Sequence, residues 1–339
     1  MTTKTNRFRG FAIATLLTAG VVSTIASGGG GGGSDGTIVP PAGGGPTLAL
    51  TATNAPAVSS MTIIAIGAAF DFGEIAGSGL PLLAAAMPPG ISAPKDSGNS
   101  QIDLPVAEAP DISNCTNGGT VDMTITQADP NTLTVGDRVI AVFDNCDDGE
   151  GYAMSGTVDL TISRYEGEIL TYMFLIGFDV TLSDVVIDDG TESVTANASF
   201  ALTLDQLNYP NSRFNLAGSQ LQLSAEGEVI NLTNFDHELT TDWVSELSIR
   251  HVTTASGTLE IQSLGGTIDY STPVAVEAWH WYPDDFDPHN GEMLITGVDS
   301  SIRVLIVDNS NVTLEIDVNG DGVVDEYVYT NWSELNDNM

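Results

Sequence analysis

From Cys115 to about residue 330 the chain alternates apolar and polar residues with a period of two, and this constrains the fold more than any other feature. Val121, Met123 and Ile125 alternate with threonines and Asp122, and Val158, Leu160 and Ile162 repeat the pattern. So do Phe200, Leu202 and Leu204, and later Val312, Leu314 and Ile316. Successive side chains of a strand point to opposite faces, so each segment has one face for a core and one for water, as in antiparallel sheets. Turn-forming pairs separate the segments: Glu166-Gly167, Asp189-Gly190, Glu226-Gly227, Gly265-Gly266 and Asp308-Asn309. The spacing predicts about a dozen strands over residues 115–330, with no helical pattern of useful length between them. The expected fold is mainly β: one large antiparallel sheet that must curl into a sandwich or an open barrel. Gly-Thr followed by an apolar alternation occurs at Gly119, Gly156 and Gly257 and hints at a structural repeat.

Residues 53–114 precede this domain and have a different character. Thr53 or Asn54 can cap a helix, and Pro56 falls in a first turn where its missing N–H costs nothing. Val58, Met61, Ile64, Ala65 and Ala68 then recur at steps of three and four. Gly73, Gly77 and Gly79 weaken the later part and Pro81 divides it, so one or two helices are expected, packed on the sheet. The run from Met61 to Phe70 ends at Asp71, too short to span a bilayer. Residues 88–114 are rich in Pro, Gly, Ser and Asp and read as loop. Residues 27–52, with six consecutive glycines from Gly28 to Gly33, read as a flexible tether. Residues 1–26 carry Lys4, Arg7 and Arg9, then an uncharged, mostly apolar run ending in small residues at Thr24, Ala26 and Ser27. That is the pattern of an export signal cleaved after Ala26. The expected organisation is thus a signal over 1–26, a tether over 27–52, a helical segment and loop over 53–114, and a β domain over 115–335.

Charge narrows the partners. The chain of 339 residues has 9 Lys and Arg against 45 Asp and Glu, a formal charge of −36. Loss of residues 1–26 removes three cations and no anion, and Lys95 then remains as the sole lysine. Nucleic acid needs clustered cations and is excluded as a partner. Such a charge favours a saline or calcium-rich medium, where self-repulsion is screened. Cys115 and Cys146 are the two cysteines, and in an oxidising compartment they read as one bridge.

The sharpest chemical signal is Asp317-Val318-Asn319-Gly320-Asp321-Gly322-Val323-Val324-Asp325. Oxygen donors at positions one, three and five, a backbone carbonyl at seven and a carboxylate at nine can surround a hard cation, and glycine at six permits the sharp turn. The predicted Ca2+ ligands are Asp317, Asn319, Asp321, Val323 through its carbonyl, and Asp325. This loop resembles those of dockerins, thrombospondin type 3 repeats and EF-hands, over about ten residues. It departs from them at position twelve, where Val328 replaces the final carboxylate, and in having strands rather than helices on its flanks. The resemblance implies a calcium-clamped hairpin. Asp144 to Glu150 is a second acidic turn, read as a solvated loop.

The stretch from Trp279 to His289 holds two of the four tryptophans and two of the four histidines. Trp279, Trp281 and Tyr282 are candidates for stacking on sugar rings, and His280 with His289 for holding a transition metal; a loop folded back on the sheet edge is the simpler reading. Enzyme signatures are missing: there is no G-x-S-x-G elbow, and His237-Glu238 lacks a second histidine at Thr241. The wider chain resembles exported, lipoprotein-like β proteins of Gram-negative bacteria, with Ser27 where the lipidated cysteine would stand. That resemblance implies an exported, non-enzymatic protein of the periplasm, outer surface or medium, with no membrane span in its mature part. Calcium, an envelope glycan or another surface protein are its expected partners. A carbohydrate-binding module is the alternative, and a polysaccharide-acting hydrolase the next.

Overall fold

The computed structural model describes residues 45–77, 111–115, 117–127, 133–147, 152–168, 173–191, 193–225, 227–245, 248–281 and 288–337. The predicted export signal and the glycine run lie outside the described residues. The β domain is one antiparallel sheet of fourteen strands in which each strand pairs with its neighbours in sequence, from β1 to β14. The strands are β1 Asp111–Asn114, β2 Gly118–Thr126, β3 Arg138–Asp147, β4 Ala153–Glu168, β5 Met173–Asp188, β6 Ser193–Asp205, β7 Ser212–Ala225, β8 Glu228–Ser245, β9 Ser248–Ile261, β10 Gly266–Trp281, β11 Pro288–Gly297, β12 Ser300–Ile306, β13 Asn311–Asp317 and β14 Glu326–Asn331. Helix α1 spans Ala55–Gly77 and a short α2 spans Trp332–Asp337.

The predicted alternation is obeyed. In β6 the residues from Val194 to Leu202 are buried at every second position, and β11 to β13 do the same with Met293, Ile295, Ile302, Val304, Val312, Leu314 and Ile316. The other face is polar and cross-linked: Gln222 donates to Asn231, which donates to Glu260, a ladder across β7, β8 and β9. Arg303 on β12 likewise lies between Glu292 on β11 and Glu315 on β13, at 3.2 Å from each.

The sheet is not closed into a barrel: its edges, β1 with four residues and β14 with six, do not pair. Short edges limit pairing with other chains. A sheet this wide has too large an apolar face to leave uncovered, and α1 covers it. The helix touches β7, β8 and β9 on one side and β12, β13 and α2 on the other, so the sheet curls around it. Its composition explains why: it is apolar on all sides, and from Ala55 to Gly73 no residue is exposed. Val58, Ala65, Ala68 and Phe72 are fully or almost fully buried. Among the described residues of the predicted segment there is one helix, and Gly73 lies inside it; Pro81 falls outside the described residues.

Local details correct the sequence reading at four points. Residues 111–114, assigned to loop, form β1, so the sheet starts before Cys115. Glu166-Gly167, expected at a turn, lies inside β4, where Gly167 takes φ 86°. The Gly-Thr motifs are not equivalent: all three lie beside register shifts, but Gly119 and Gly156 adopt positive φ and Gly257, opposite Tyr270, does not. Finally, Asn54 precedes α1 but its side chain faces backward, accepting from the Thr51 N–H at 2.8 Å and donating to the Ala49 carbonyl at 3.0 Å. It therefore fastens the incoming chain.

That incoming chain, assigned to the end of the tether, is held against the sheet. The Thr47 and Leu48 N–H groups both donate to the Thr267 carbonyl, Val298 N–H donates to the Leu48 carbonyl at 2.9 Å, and Leu50 N–H donates to Ser300 Oγ at 2.8 Å. A Cβ on Gly297 would meet the Leu48 carbonyl oxygen at 2.3 Å, so only glycine lets the strap cross there. The strap thus ties the β9–β10 and β11–β12 hairpins together and delivers α1 into the curl.

Candidate functional site

The predicted calcium loop joins β13 to β14. Ile316 is fully buried, and the alternation then yields to Asp317, which is also buried. Asp317 Oδ1 accepts from the N–H groups of Asn319 at 3.2 Å and Gly320 at 2.7 Å, and Oδ2 accepts from Gly322 at 2.8 Å. Burial pushes the Asp317 carboxyl up, but the backbone N–H groups of Gly322, Asn319, Gly320 and Asp321 together hold it below the usual carboxylate range. Asn319 Oδ1 accepts from Asp321 N–H at 2.9 Å, and Asp321 Oδ1 from Val323 N–H at 2.8 Å. Asp325 closes the loop, its Oδ2 accepting from Val318 N–H at 3.0 Å and from the Asn319 amide at 3.3 Å.

Every predicted ligand is therefore engaged in folding one turn. These bonds use one carboxylate oxygen of Asp321 and one of Asp325, and leave each acid its second oxygen. Among the described residues no three or more His, Cys, Asp or Glu side chains are gathered closely enough to hold a metal. In this arrangement backbone N–H groups balance the carboxylates. Val323 and Val318 are exposed, as the tip of such a loop must be.

The disulfide is present. Cys115 and Cys146 are joined with Cα atoms 5.4 Å apart, tying the entry of β2 to the far end of β3, which runs past Phe143 to Asp147. The aromatic segment is only partly described. Trp279 is half-buried on β10, with its ring centroid 6.2 Å from that of His289 on β11. Tyr282 and the aspartates after it, together with the side chains of His280 and Trp281, lie outside the described residues. Of the acidic turn at 144–150, Asp144 to Asp147 end β3, and the rest is likewise outside.

One site was not anticipated. His237 on β8 is fully buried, and its Nε2 lies 2.7 Å from the Tyr270 hydroxyl on β10. The two strands are separated by β9, and the contact spans it because Gly257 stands opposite Tyr270. A Cβ there would meet the hydroxyl oxygen at 2.7 Å. Phe70 of α1 and Phe235 flank the imidazole, with ring centroids at 5.6 and 5.5 Å. His237 Nδ1 has no partner among the described residues, and neither do the hydroxyls of Ser59 and Ser60 on α1. Burial pushes the His237 pKa down to about 4 against a smaller opposing pull from Asp236, and burial pushes the Tyr270 hydroxyl up. The pair is thus a neutral hydrogen-bonded link in an apolar interior. The sequence carried one hint: His237 occupies an inward position of the β8 alternation, two residues after Phe235.

No family model, curated protein or solved structure matches this chain.

Proposed function

We propose that this is an exported, non-enzymatic β protein of the cell envelope or extracellular medium whose β13–β14 hairpin is clamped by calcium. The observation carrying the reading is the Asp317 carboxylate, buried and below its ordinary titration range, around which Asn319, Gly320 and Gly322 turn their N–H groups. A loop wound this way has already met the cost of ordering its ligands. Asp317, Asn319, Asp321, the Val323 carbonyl and Asp325 would hold the ion, whose charge would offset the repulsion between carboxylates. The flanking strands already pair from Ile316 with Glu326 to Asn311 with Asn331, so bound calcium would stiffen a hairpin and expose no new groove.

Export is supported by the cationic, then apolar, leader and by the disulfide, which persists in oxidising compartments. The strap at Thr47 to Leu50 would receive the glycine-rich tether at the calcium-loop end of the sheet. Calorimetric titration of Ca2+ into the full chain tests the reading. A saturable heat that disappears in Asp321→Asn with Asp325→Asn is expected, and the absence of heat in the wild-type chain would refute it.

A further inference from the structure

The last strand, β14, leaves an open edge. Its six residues read Glu-Tyr-Val-Tyr-Thr-Asn, with a single charge. It pairs with β13 without a register shift, from Ile316 with Glu326 to Asn311 with Asn331. Among the described residues no strand pairs with its other side. Of the devices that blunt an edge it has shortness, but neither lysine nor proline nor a bulge within the strand. After Asn331 the chain turns inward into α2, which packs on α1 and buries Leu335. Tyr327 and Tyr329 are 53 and 78% exposed, with rings within 9° of parallel and centroids 6.3 Å apart.

Hydrogen-bond phase decides which backbone groups this edge presents. The Trp332 N–H donates to the Ser310 carbonyl at 3.2 Å, and these two residues flank the pair of Asn311 with Asn331. That pattern marks Asn311 and Asn331 as a non-hydrogen-bonded pair, and the regular register carries the alternation along the strand. Val328, opposite Leu314, therefore bonds back to β13. Tyr327, Tyr329 and Asn331 turn their N–H and C=O groups outward.

We propose that β14 pairs antiparallel with β14 of a second copy of this chain, about a two-fold axis at Val328. In that register Tyr327 of each copy meets Tyr329 of the other, and each pair exchanges its outward N–H···O bonds. Val328 meets its own counterpart, and Glu326 meets Thr330. No like charges oppose each other and tyrosine faces tyrosine, the kind of cross-strand pair that stabilises a sheet. The neighbouring two-fold registers fit worse. Centring on Tyr327 runs Tyr329 into the other copy's Asp325, in its acidic loop, and centring on Tyr329 sets Glu326 against Trp332, where strand has given way to helix. The strand is thus self-complementary, as a closed two-fold contact requires, whereas a foreign strand would have to reproduce the same match. A contact of this length is small beside that of a permanent dimer, so the association is concentration-dependent. Two chains of charge −36 repel each other, so added salt strengthens it.

Sedimentation of the full chain from about 1 μM to about 1 mM tests this, in chelator so that calcium cannot bridge two acidic loops. The mean mass should rise with concentration toward twice that of the monomer, more steeply in salt. The association constant should fall at least tenfold in Tyr327→Glu with Tyr329→Glu. A covalent readout fixes the register. No cysteine is free, so Val328→Cys adds a single thiol, and the two-fold places the two Cα atoms about 4.5 Å apart, within disulfide reach. Under mild oxidation Val328→Cys should run as a dimer on a non-reducing gel, whereas Val135→Cys, exposed in the β2–β3 connection, should not. Far-UV circular dichroism checks that the variants keep the sheet. A monomer at every concentration overturns the proposal. So does a dimer that survives the tyrosine substitutions or weakens in salt, or equal cross-linking at positions 328 and 135. Growth past the dimer into fibres also overturns it, since β14 would then be meeting β1 head to tail.

Discussion

Removing the buried His237–Tyr270 pair should flatten one component of the acid sensitivity of folding. The ordinary histidine pKa of 6.5 falls to about 4 inside the sheet, because burial disfavours the charged imidazole by more than the nearby Asp236 carboxylate favours it. A proton therefore binds the unfolded chain in preference to the folded one between these values. The stability contribution is fully present above pH 6.5 and declines as pH falls toward 4. Two and a half units at 1.36 kcal/mol each amount to about 3 kcal/mol. The numerous carboxylates also titrate below pH 5, so the wild-type curve alone does not isolate the effect. His237→Leu with Tyr270→Phe removes both polar partners and leaves neither orphaned. Urea unfolding of both proteins, followed by circular dichroism from pH 7.5 to 4, yields a difference in which the carboxylates cancel. That difference should shift by about 3 kcal/mol in the variant's favour on acidification. A difference that stays constant with pH would refute the reasoning, since it would mean that the imidazole is hydrated or charged in the folded protein.

Other outcomes follow from the same geometry. Gly257→Ala drives a methyl into the Tyr270 hydroxyl and strips His237 of its partner; chemical denaturation should show a loss of about 1–3 kcal/mol. Replacing Cys115 and Cys146 with serine opens a loop with a sequence separation of 31, for which the chain-entropy model gives about 3–4 kcal/mol, measurable as a lower urea midpoint. Phe72→Ala empties a buried position between helix and sheet and should cost about 3–5 kcal/mol by the same assay. Arg303→Gln breaks two ion pairs on the polar face, where Arg303 is 50% exposed, and should cost less than about 1 kcal/mol.

Much of the sheet was legible because period-two alternation is a direct image of a half-buried strand. Val312, Leu314 and Ile316 are buried as the pattern requires, and so are Phe200 and Leu202. Edges were harder to read. Asp111 to Asn114 pair with β2 through backbone bonds that carry no compositional signature, and Gly167 resembles a turn glycine although β4 continues through it. The helix was visible as an apolar segment, but its burial on all sides depends on a curl that brings β7 to β9 and β12 to β13 onto the same element. The His237–Tyr270 contact was invisible for a similar reason: the two residues are 33 positions apart and meet only because β8, β9 and β10 are adjacent and β9 offers a glycine. The Asp-rich loop was legible as a turn, because its side-chain-to-backbone bonds are local and set by residue type.

The calcium clamp is tested most directly by the melting temperature of the full chain in chelator and in millimolar Ca2+. An ion that binds only the folded hairpin stabilises it by about 2.7 kcal/mol at a hundred times its dissociation constant, enough to raise the melting temperature by several degrees. The account predicts that rise, absent with Mg2+ and absent when Asp321 and Asp325 are replaced by asparagine. Identical melting in chelator and in calcium would contradict it.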